Sequence, residues 1–362
     1  MKVLALSSYG GLGGSELTFA AFIKHRPADV DVGALVLAPG GLAQVLADQG
    51  TPAIVADGYV GRPTAARAVR FTRSLRPLLE RERPDVVWAM AQKAALLAAP
   101  AARLARVPIV WHKVDFSWDS TLAVPVAGAV DGVVGVSNAV VEALGPLRER
   151  RLLGTVGPPV TLDRALAANP DPERPAIGTL GRLVPYKGAH LIIEAAARLR
   201  PRFPGIRVIL PGTPAPEYPD YPGRLEALAR ELGLEDAVEM PGFVPAESVL
   251  PRLSVYVSAT YRDEEGFGLE GLSGAMLEAS WVGLPVVATR GGGTAEGIVE
   301  GETGTLVDAG SAEALATAIA PYLADPELSA RTGAAGRAFA QERFAPENAS
   351  RRLFGLLARV AR

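Results

Sequence analysis

Short apolar runs recur along the chain, each followed by a longer stretch in which Ala, Leu and Arg alternate at helical spacing. In the first half the runs are VLALSS (3–8), VGALVLA (32–38), PAIVAD (52–57), DVVWAM (85–90), PIVWH (108–112) and GVVGVS (132–137). Runs of this kind predict buried strands, and their alternation with helical stretches predicts βαβ units: a parallel sheet with helices on both faces. A Pro-rich segment, GPPVTLDRALAANPDPERP, follows Gly154 and reads as a linker. The pattern then restarts with AIGTLGRL (176–183), RVILPG (207–212), VEMPGF (238–243), SVYVSATY (254–261), PVVATR (285–290) and GTLVD (304–308). From Ser311 the chain is expected to be helical, with breaks at Gly333, Gly336 and Pro346. Two Rossmann-like α/β domains, 1–165 and 166–345, account for this order, and a last helix, 346–362, is expected to pack back on the first domain. No repeat of 20–50 residues suggests a solenoid.

Composition narrows the classes. A chain of 362 residues exceeds the size at which one core keeps growing, so two domains are the default. A net charge of −2 gives no general argument for nucleic acid. Cysteine is absent, which removes disulfides, thiolate metal sites and a cysteine nucleophile, and suits a reducing compartment. The apolar stretch in MKVLALSSYGG is too short for a signal peptide, and no uncharged apolar run approaches the length of a membrane span. A cytoplasmic location is the expectation. The segment Arg62 to Arg83, with seven arginines and Val69, Phe71, Leu75, Leu78 and Leu79, could rest on anionic lipid as a peripheral contact at the inner face of the membrane. Pro77, Glu80 and Glu82 interrupt it, so an ordinary surface helix is the more economical reading.

The densest chemistry lies in EGLSGAMLEASWVGLPVVATRGGGTAE, where Glu270 and Glu278 stand eight positions apart ahead of a strand and the glycines 291–293. If Ser273 to Trp281 is helix, a regular rise would separate the carboxylates by roughly 12 Å. Both reach one ligand most easily if Glu270 lies in the loop before the helix, a kinked entry that Gly271 makes feasible. The competing reading is a pair of solvated helix glutamates.

Ligands of open α/β sheets bind outside the carboxyl ends of the strands, so residues just after the apolar runs matter most. Gly10-Gly11-Leu12-Gly13-Gly14-Ser15-Glu16 follows the first run; it is either a phosphate-facing loop or a tight turn with Ser15 as helix cap. It is no dinucleotide fingerprint, because Glu16 occupies the place of the third glycine. In Gly181-Arg182-Leu183-Val184-Pro185-Tyr186-Lys187-Gly188, Arg182 and Lys187 could neutralise a diphosphate, or be two solvated surface cations. His112 ends an apolar run beside Trp111, Lys113, Asp115 and Trp118; it could meet a sugar hydroxyl or a developing charge, with Trp111 or Trp118 stacking on the ring. Ser137-Asn138 suits a helix cap. Asp29-Val30-Asp31 has the D-x-D form of metal-dependent transferases but lies far from the other motifs. Asp263-Glu264-Glu265 is an acidic loop that could attract a cationic acceptor such as an aminosugar.

Taken together, these motifs resemble the family 4 retaining glycosyltransferases. The register that fits their E-x7-E signature is Glu270 with Glu278, followed by Gly283-Leu284-Pro285-Val286-Val287-Ala288-Thr289 and Gly292-Gly293-Thr294-Ala295-Glu296; from Glu265, eight positions lead to Ser273 instead. GRLVPYKG matches the family's G-R-L-x-x-x-K-G, and GGLGGSE its amino-terminal glycine loop. Where the family usually continues to N-G-V-D, this chain has Gly157-Pro158-Pro159-Val160-Thr161. The resemblance implies a GT-B fold, two Rossmann-like domains facing across a cleft, with the donor in the second and the acceptor mainly against the first. It implies transfer from a nucleoside-diphosphate sugar with net retention, and neither a metal nor another cofactor. By the same carry-over Glu270 holds donor sugar hydroxyls, with Gly271, Leu272 and Ser273 alongside; Glu278 holds the ribose; Arg182 and Lys187 hold the diphosphate, faced by Gly13 and Gly14. His112 stands beside the donor sugar, while Gly11, Glu16 and Asp115 face a small-molecule, glycan or lipid-linked acceptor. The base would meet backbone around Gly212 and Gly242-Phe243-Val244. No side chain is an obvious nucleophile, which suggests that a leaving-group phosphate oxygen accepts the acceptor's proton. An epimerase or hydrolase on the same scaffold, and a non-catalytic nucleotide-sugar binder, are the alternatives.

Overall fold

A computed structural model describes residues 1–56, 58, 59, 61, 64–263, 266 and 268–361. The chain divides into two compact units, residues 1–159 with 344–362, and residues 160–343.

The first unit is built on seven strands: β1 (Lys2–Ser7), β2 (Asp31–Val36), β3 (Ala53–Val55), β4 (Val86–Met90), β5 (Ile109–Lys113), β6 (Gly132–Gly135) and β7 (Leu152–Thr155). They pair in parallel in the order β3-β2-β1-β4-β5-β6-β7. Every residue of β4, β5 and β6 is buried, as expected of central strands covered by helices on both faces. One face packs Val3, Ala5, Trp88 and Val110 against Phe19 and Phe22 of the helix Gly14–Lys24 and against Leu353, Phe354 and Leu357 of the last helix, Pro346–Ala358. The carboxy-terminal helix thus completes the core of the unit that the amino-terminal half begins.

The second unit carries β8 (Ala176–Gly178), β9 (Arg207–Ile209), β10 (Val238–Glu239), β11 (Val255–Ser258), β12 (Val286–Thr289) and β13 (Gly304–Val307). They pair in parallel in the order β10-β9-β8-β11-β12-β13. In both sheets the strand order reverses once, between β1 and β4 and between β8 and β11. These reversals open a crevice at the carboxyl ends of the strands, the place where open α/β sheets take their ligands.

Three details differ from the sequence expectation. β7 was hidden by its glycine, Gly154, and by its edge position, where all four residues are only half-buried. The junction lies at Pro159/Val160 rather than at residue 165, because the Asp163 carbonyl accepts from Trp281 Nε1 at 3.3 Å and Ala168 N–H donates to Val282 O at 2.8 Å, tying the linker to the second unit. The helix Pro326–Phe344 runs through Gly333 and Gly336 without a break. A Cβ on Gly333 would stand 1.9 Å from the Gly283 carbonyl oxygen, so this glycine serves close approach between backbones and not interruption. The prolines at 326 and 346 mark the real helix starts.

Candidate active site

In the second unit the residues singled out from the sequence gather at the β8/β11 reversal. The loop after β8 is held by close backbone approaches: Gly181 takes φ 146, and a Cβ on Gly212 would lie 1.8 Å from its carbonyl oxygen. Pro185–Lys187 forms one tight turn, and Gly188, at φ 72 with no room for a Cβ against Ala259 O, opens the helix Ala189–Leu199. Lys187 is thereby presented at the mouth of that helix. Its ammonium forms an ion pair with Glu270 Oε1, the two side chains being 26% and 19% exposed. Burial, with a smaller push from the Arg182 cation, brings the Lys187 pKa down to about 8, so the lysine is mostly charged at neutral pH. Arg182 is exposed, its guanidinium 3.5 Å from the Tyr186 hydroxyl.

Glu270 lies in the loop before the helix Gly274–Trp281, as the sequence suggested, so the spacing of a regular helix does not apply between the two glutamates. The chain bends at Gly271 and Leu272, and Ser273 caps the helix by accepting from Met276 N–H at 3.4 Å. Gly293 N–H donates to the Glu270 carbonyl at 2.8 Å, which couples the triple-glycine turn to the glutamate loop. Beside Glu270 a cavity of about 300 Å³ is lined by Thr260, Arg262, Leu269, Arg290 and Thr294. Glu278, four residues into the helix, differs from Glu270: among the described residues no cation or hydrogen-bond donor meets its carboxyl. Burial, with a smaller push from Glu247, raises its pKa to about 7. Nearby, the buried Tyr256 hydroxyl sits 3.4 Å from Thr179 Oγ1, and burial pushes it up to about 12. Gly212 N–H donates to Gly242 O at 2.7 Å, and Phe243 next to it is 84% exposed.

The first unit corrects two expectations. His112 has no exposed surface: by the alternation of β5 its ring shares the core face with Val110, with centroids 5.8 Å from Phe22 and 6.1 Å from Trp88. Neither ring nitrogen has a hydrogen-bond partner of ordinary geometry, and burial, opposed by the backbone of Val156, lowers the pKa to about 4. His112 is a neutral core residue here, with no surface from which to reach a sugar. Trp111 is equally buried and cannot stack on a pyranose, while Trp118 stands half-buried at φ 55 before the helix Asp119–Ala129. Glu16, offered as an acceptor contact, is committed to its own loop: Gly13 N–H donates to Oε2 at 3.1 Å and Ser15 Oγ to Oε1 at 2.8 Å. It closes the turn as a capping residue, the part the sequence had allotted to Ser15. Gly11 and Gly14 face open space. Asp115 is half-buried and accepts from Ser117 N–H at 2.9 Å.

Other motifs fall outside the site. Asp29 and Asp31 flank the amino end of β2, where their backbones bond Met1, at the opposite edge of the sheet from the strand carboxyl ends. Ser137 occupies the cap position of Asn138–Val141. In the helix Ala65–Glu82 the apolar residues Phe71, Leu75 and Leu79 face the fold, Arg76 and Arg81 pair with Glu80 and Glu82, and Val69 is left exposed. Asp57, Arg62, Glu264 and Glu265 lie outside the described residues. Among the described residues no helix is long and apolar enough to cross a membrane, and no group of three or more metal-ligating side chains occurs.

Two lysines of the first unit were given no role from the sequence. Lys113, fully buried, pairs with Asp119 Oδ1 at 2.6 Å, and Gln92 Nε2 approaches the same oxygen at 3.4 Å. Lys93, 4% exposed, opens the helix Gln92–Ala105.

Comparison with known proteins adds the following. The family described as "Glycosyl transferases group 1" matches residues 166–339. A GDP-mannose-dependent alpha-(1-6)-phosphatidylinositol monomannoside mannosyltransferase of Mycolicibacterium smegmatis is 31% identical over 299 residues, 75% of this chain and 76% of the relative. The lipopolysaccharide core biosynthesis glycosyltransferase LpsE of Rhizobium meliloti is 30% identical over 287 residues, 76% of this chain and 77% of the relative. Among solved structures, Anabaena Alr3699/HepE in complex with UDP and glucose superposes with a TM-score of 0.82 at 22% identity, covering 99% of both chains. The apo lipopolysaccharide outer core galactosyltransferase WaaB gives 0.79 at 16%, again over 99% of both. At these identities the structural likeness speaks for the fold.

Proposed function

The chain belongs to the group 1 glycosyltransferases, and on that premise we propose that it moves a hexose from a nucleoside-diphosphate sugar to an acceptor hydroxyl of a glycan or glycolipid, with retention at the anomeric carbon and without a bound metal. The observation that carries the reading is the gathering of Lys187, Glu270, Arg182 and Glu278 around one strand-order reversal. The step asks chiefly for stabilisation of a departing diphosphate. Lys187 and Arg182 supply two cations there, and oriented charge in a partly dehydrated site is the most effective form of such help. Glu270, oriented by its ion pair with Lys187, accepts from donor sugar hydroxyls. Glu278 receives the ribose hydroxyls, which give its unpartnered carboxyl the hydrogen bonds it lacks in the free protein.

With no carboxylate assigned as nucleophile, the acceptor oxygen attacks the anomeric carbon on the face from which the phosphate departs. The bond from that carbon to the phosphate oxygen breaks, the bond to the acceptor oxygen forms, and the acceptor proton passes to the leaving phosphate. The reaction is placed in the cytoplasm. The curated relative named above is GDP-mannose-dependent and the HepE complex holds UDP, so the panel that tests the reading spans bases. Thermal shifts are recorded with UDP, GDP, ADP, dTDP and their sugars, with and without EDTA. A chelator-insensitive shift for one base that Lys187→Ala abolishes is expected. No shift with any nucleotide, or a trapped glycosyl-enzyme on a carboxylate, would defeat the proposal.

A further inference from the structure

Lys93 has no part in the reaction as derived above, yet it stands at the strand-order reversal of the first unit, where β1 and β4 end side by side. We propose that the acceptor carries a phosphoryl group and that the first unit holds this group through the Lys93 ammonium at the amino terminus of the helix Gln92–Ala105; the inference rests on the reading of the protein as a sugar transferase.

Three observations converge on this edge. The Lys93 side chain is buried, and among the described residues neither a carboxylate nor a hydrogen-bond acceptor meets its ammonium, which lies over the Tyr9 ring, 5.7 Å from the centroid. The other two sequestered lysines, Lys113 and Lys187, each face a carboxylate. An unpaired sequestered cation is a cost to the fold that a bound anion removes. Secondly, the helix begins without a side-chain cap: Ala91 turns at φ 69, Ser8 Oγ takes the Ala94 N–H at 2.9 Å, and the amides of Gln92 and Lys93 have no partner among the described residues. Two free amides at a helix start, on Lys93 itself and on the residue before it, match the terminal oxygens of a phosphoryl group. Thirdly, burial and, to a smaller extent, the charge of Arg67 lower the Lys93 pKa, so the electrostatic field at this ammonium is positive. The nearby acids do not fill it. Glu16 and Asp115 act on the Tyr9 phenol, but Glu16 is bound to Gly13 and Ser15, and Asp115 to Ser117.

Calorimetric titration with inorganic phosphate tests the assignment on four proteins: the unaltered chain, Lys93→Gln, the double variant Arg182→Gln/Lys187→Gln, and the triple variant. The double variant lacks the diphosphate contacts of the second unit, so the phosphate binding it keeps reports on the first. Affinity at least tenfold weaker in the triple than in the double variant is expected. Equal affinities, or no millimolar binding by the double variant, overturn the proposal. Lys93→Met guards against a merely structural lysine: an unpaired ammonium can be removed with Tm unchanged or raised, and a lowered Tm counts against the site. Lys93-dependent binding to phosphatidylglycerol vesicles, over phosphatidylcholine vesicles, would assign a lipid-linked phosphate. Binding of sn-glycerol 3-phosphate with no vesicle binding would assign a soluble one. Failure of the donor reading shows itself separately, as nucleoside-diphosphate binding that Arg182→Gln/Lys187→Gln leaves intact.

Discussion

Glu278→Gln should stabilise the second unit in a strongly pH-dependent way while weakening nucleotide binding. The Glu278 carboxyl is raised from an ordinary 4.5 to about 7, burial being the main cause. Between those values the folded chain binds more protons at this site than the unfolded chain does, so stability falls as pH rises from about 4.5 to about 7 and is level above. A tenfold change in proton affinity is worth about 1.4 kcal/mol, so the ionised carboxylate costs the fold roughly 3 kcal/mol above neutrality. Glutamine carries no such penalty. The variant and the parent should therefore melt together near pH 4.5 and separate by about 6–12 °C at pH 8, taking roughly 2–4 °C per kcal/mol for a unit of this size. Trp281, fully buried three residues further along the same helix, is the sole tryptophan of the second unit and reports its melting by fluorescence. A difference independent of pH, or a variant less stable than the parent at pH 8, would refute the reasoning. The same carboxyl, half-protonated at pH 7, should release part of a proton when a nucleoside diphosphate binds, seen as a dependence of the calorimetric heat on buffer.

Other variants probe the rest of the structure. Lys187→Met and Glu270→Gln, each breaking one part-buried pair, should cost about 1–3 kcal/mol and turnover, and the double variant should recover most of the stability but none of the activity; additive losses in a denaturant cycle would contradict the pairing. His112→Leu should abolish a loss of first-unit stability that sets in as pH falls below about 6.5, since the unfolded imidazole takes a proton there and the folded one resists until about 4; an unaltered acid limb would show the ring to be accessible. Gly333→Ala should destabilise by about 2 kcal/mol through its clash with Gly283 O, whereas Gly336→Ala, 3.4 Å from Thr303 O, should be nearly neutral because helix propensity offsets the contact. Equal melting of the two would remove the close-approach argument.

The strands were legible because sheets covered on both faces write themselves as unbroken apolar runs, and β4, β11 and β12 illustrate it. β7 was not, since a half-buried edge strand with a glycine inside carries little of that signal. In the second unit the nearness of Lys187 and Glu270 was legible as well, because both are placed by glycine-bearing turns that can be seen in the sequence. His112 shows the limit: its place at the end of an apolar run was evident, but which face its ring takes depends on helices contributed by residues 14–24 and 346–358. Lys93 was invisible for a similar reason. Its ammonium lies over Tyr9, in the loop after β1 and far away in sequence, and nothing in QKAALLAA distinguishes it from a solvated lysine at a helix start.

The return of the last helix to the first core sets the order in which the chain can fold on the ribosome. Residues 160–343 form a continuous stretch and hold every strand of their own sheet, so this unit can close as soon as it has emerged. The amino-terminal unit emerges earlier, yet the face carrying Trp88 and Phe22 lacks Leu353, Phe354 and Leu357 until the helix Pro346–Ala358 is made. The half synthesised first is therefore the half finished last, and in the interval its uncovered apolar face is where a nascent-chain chaperone would bind.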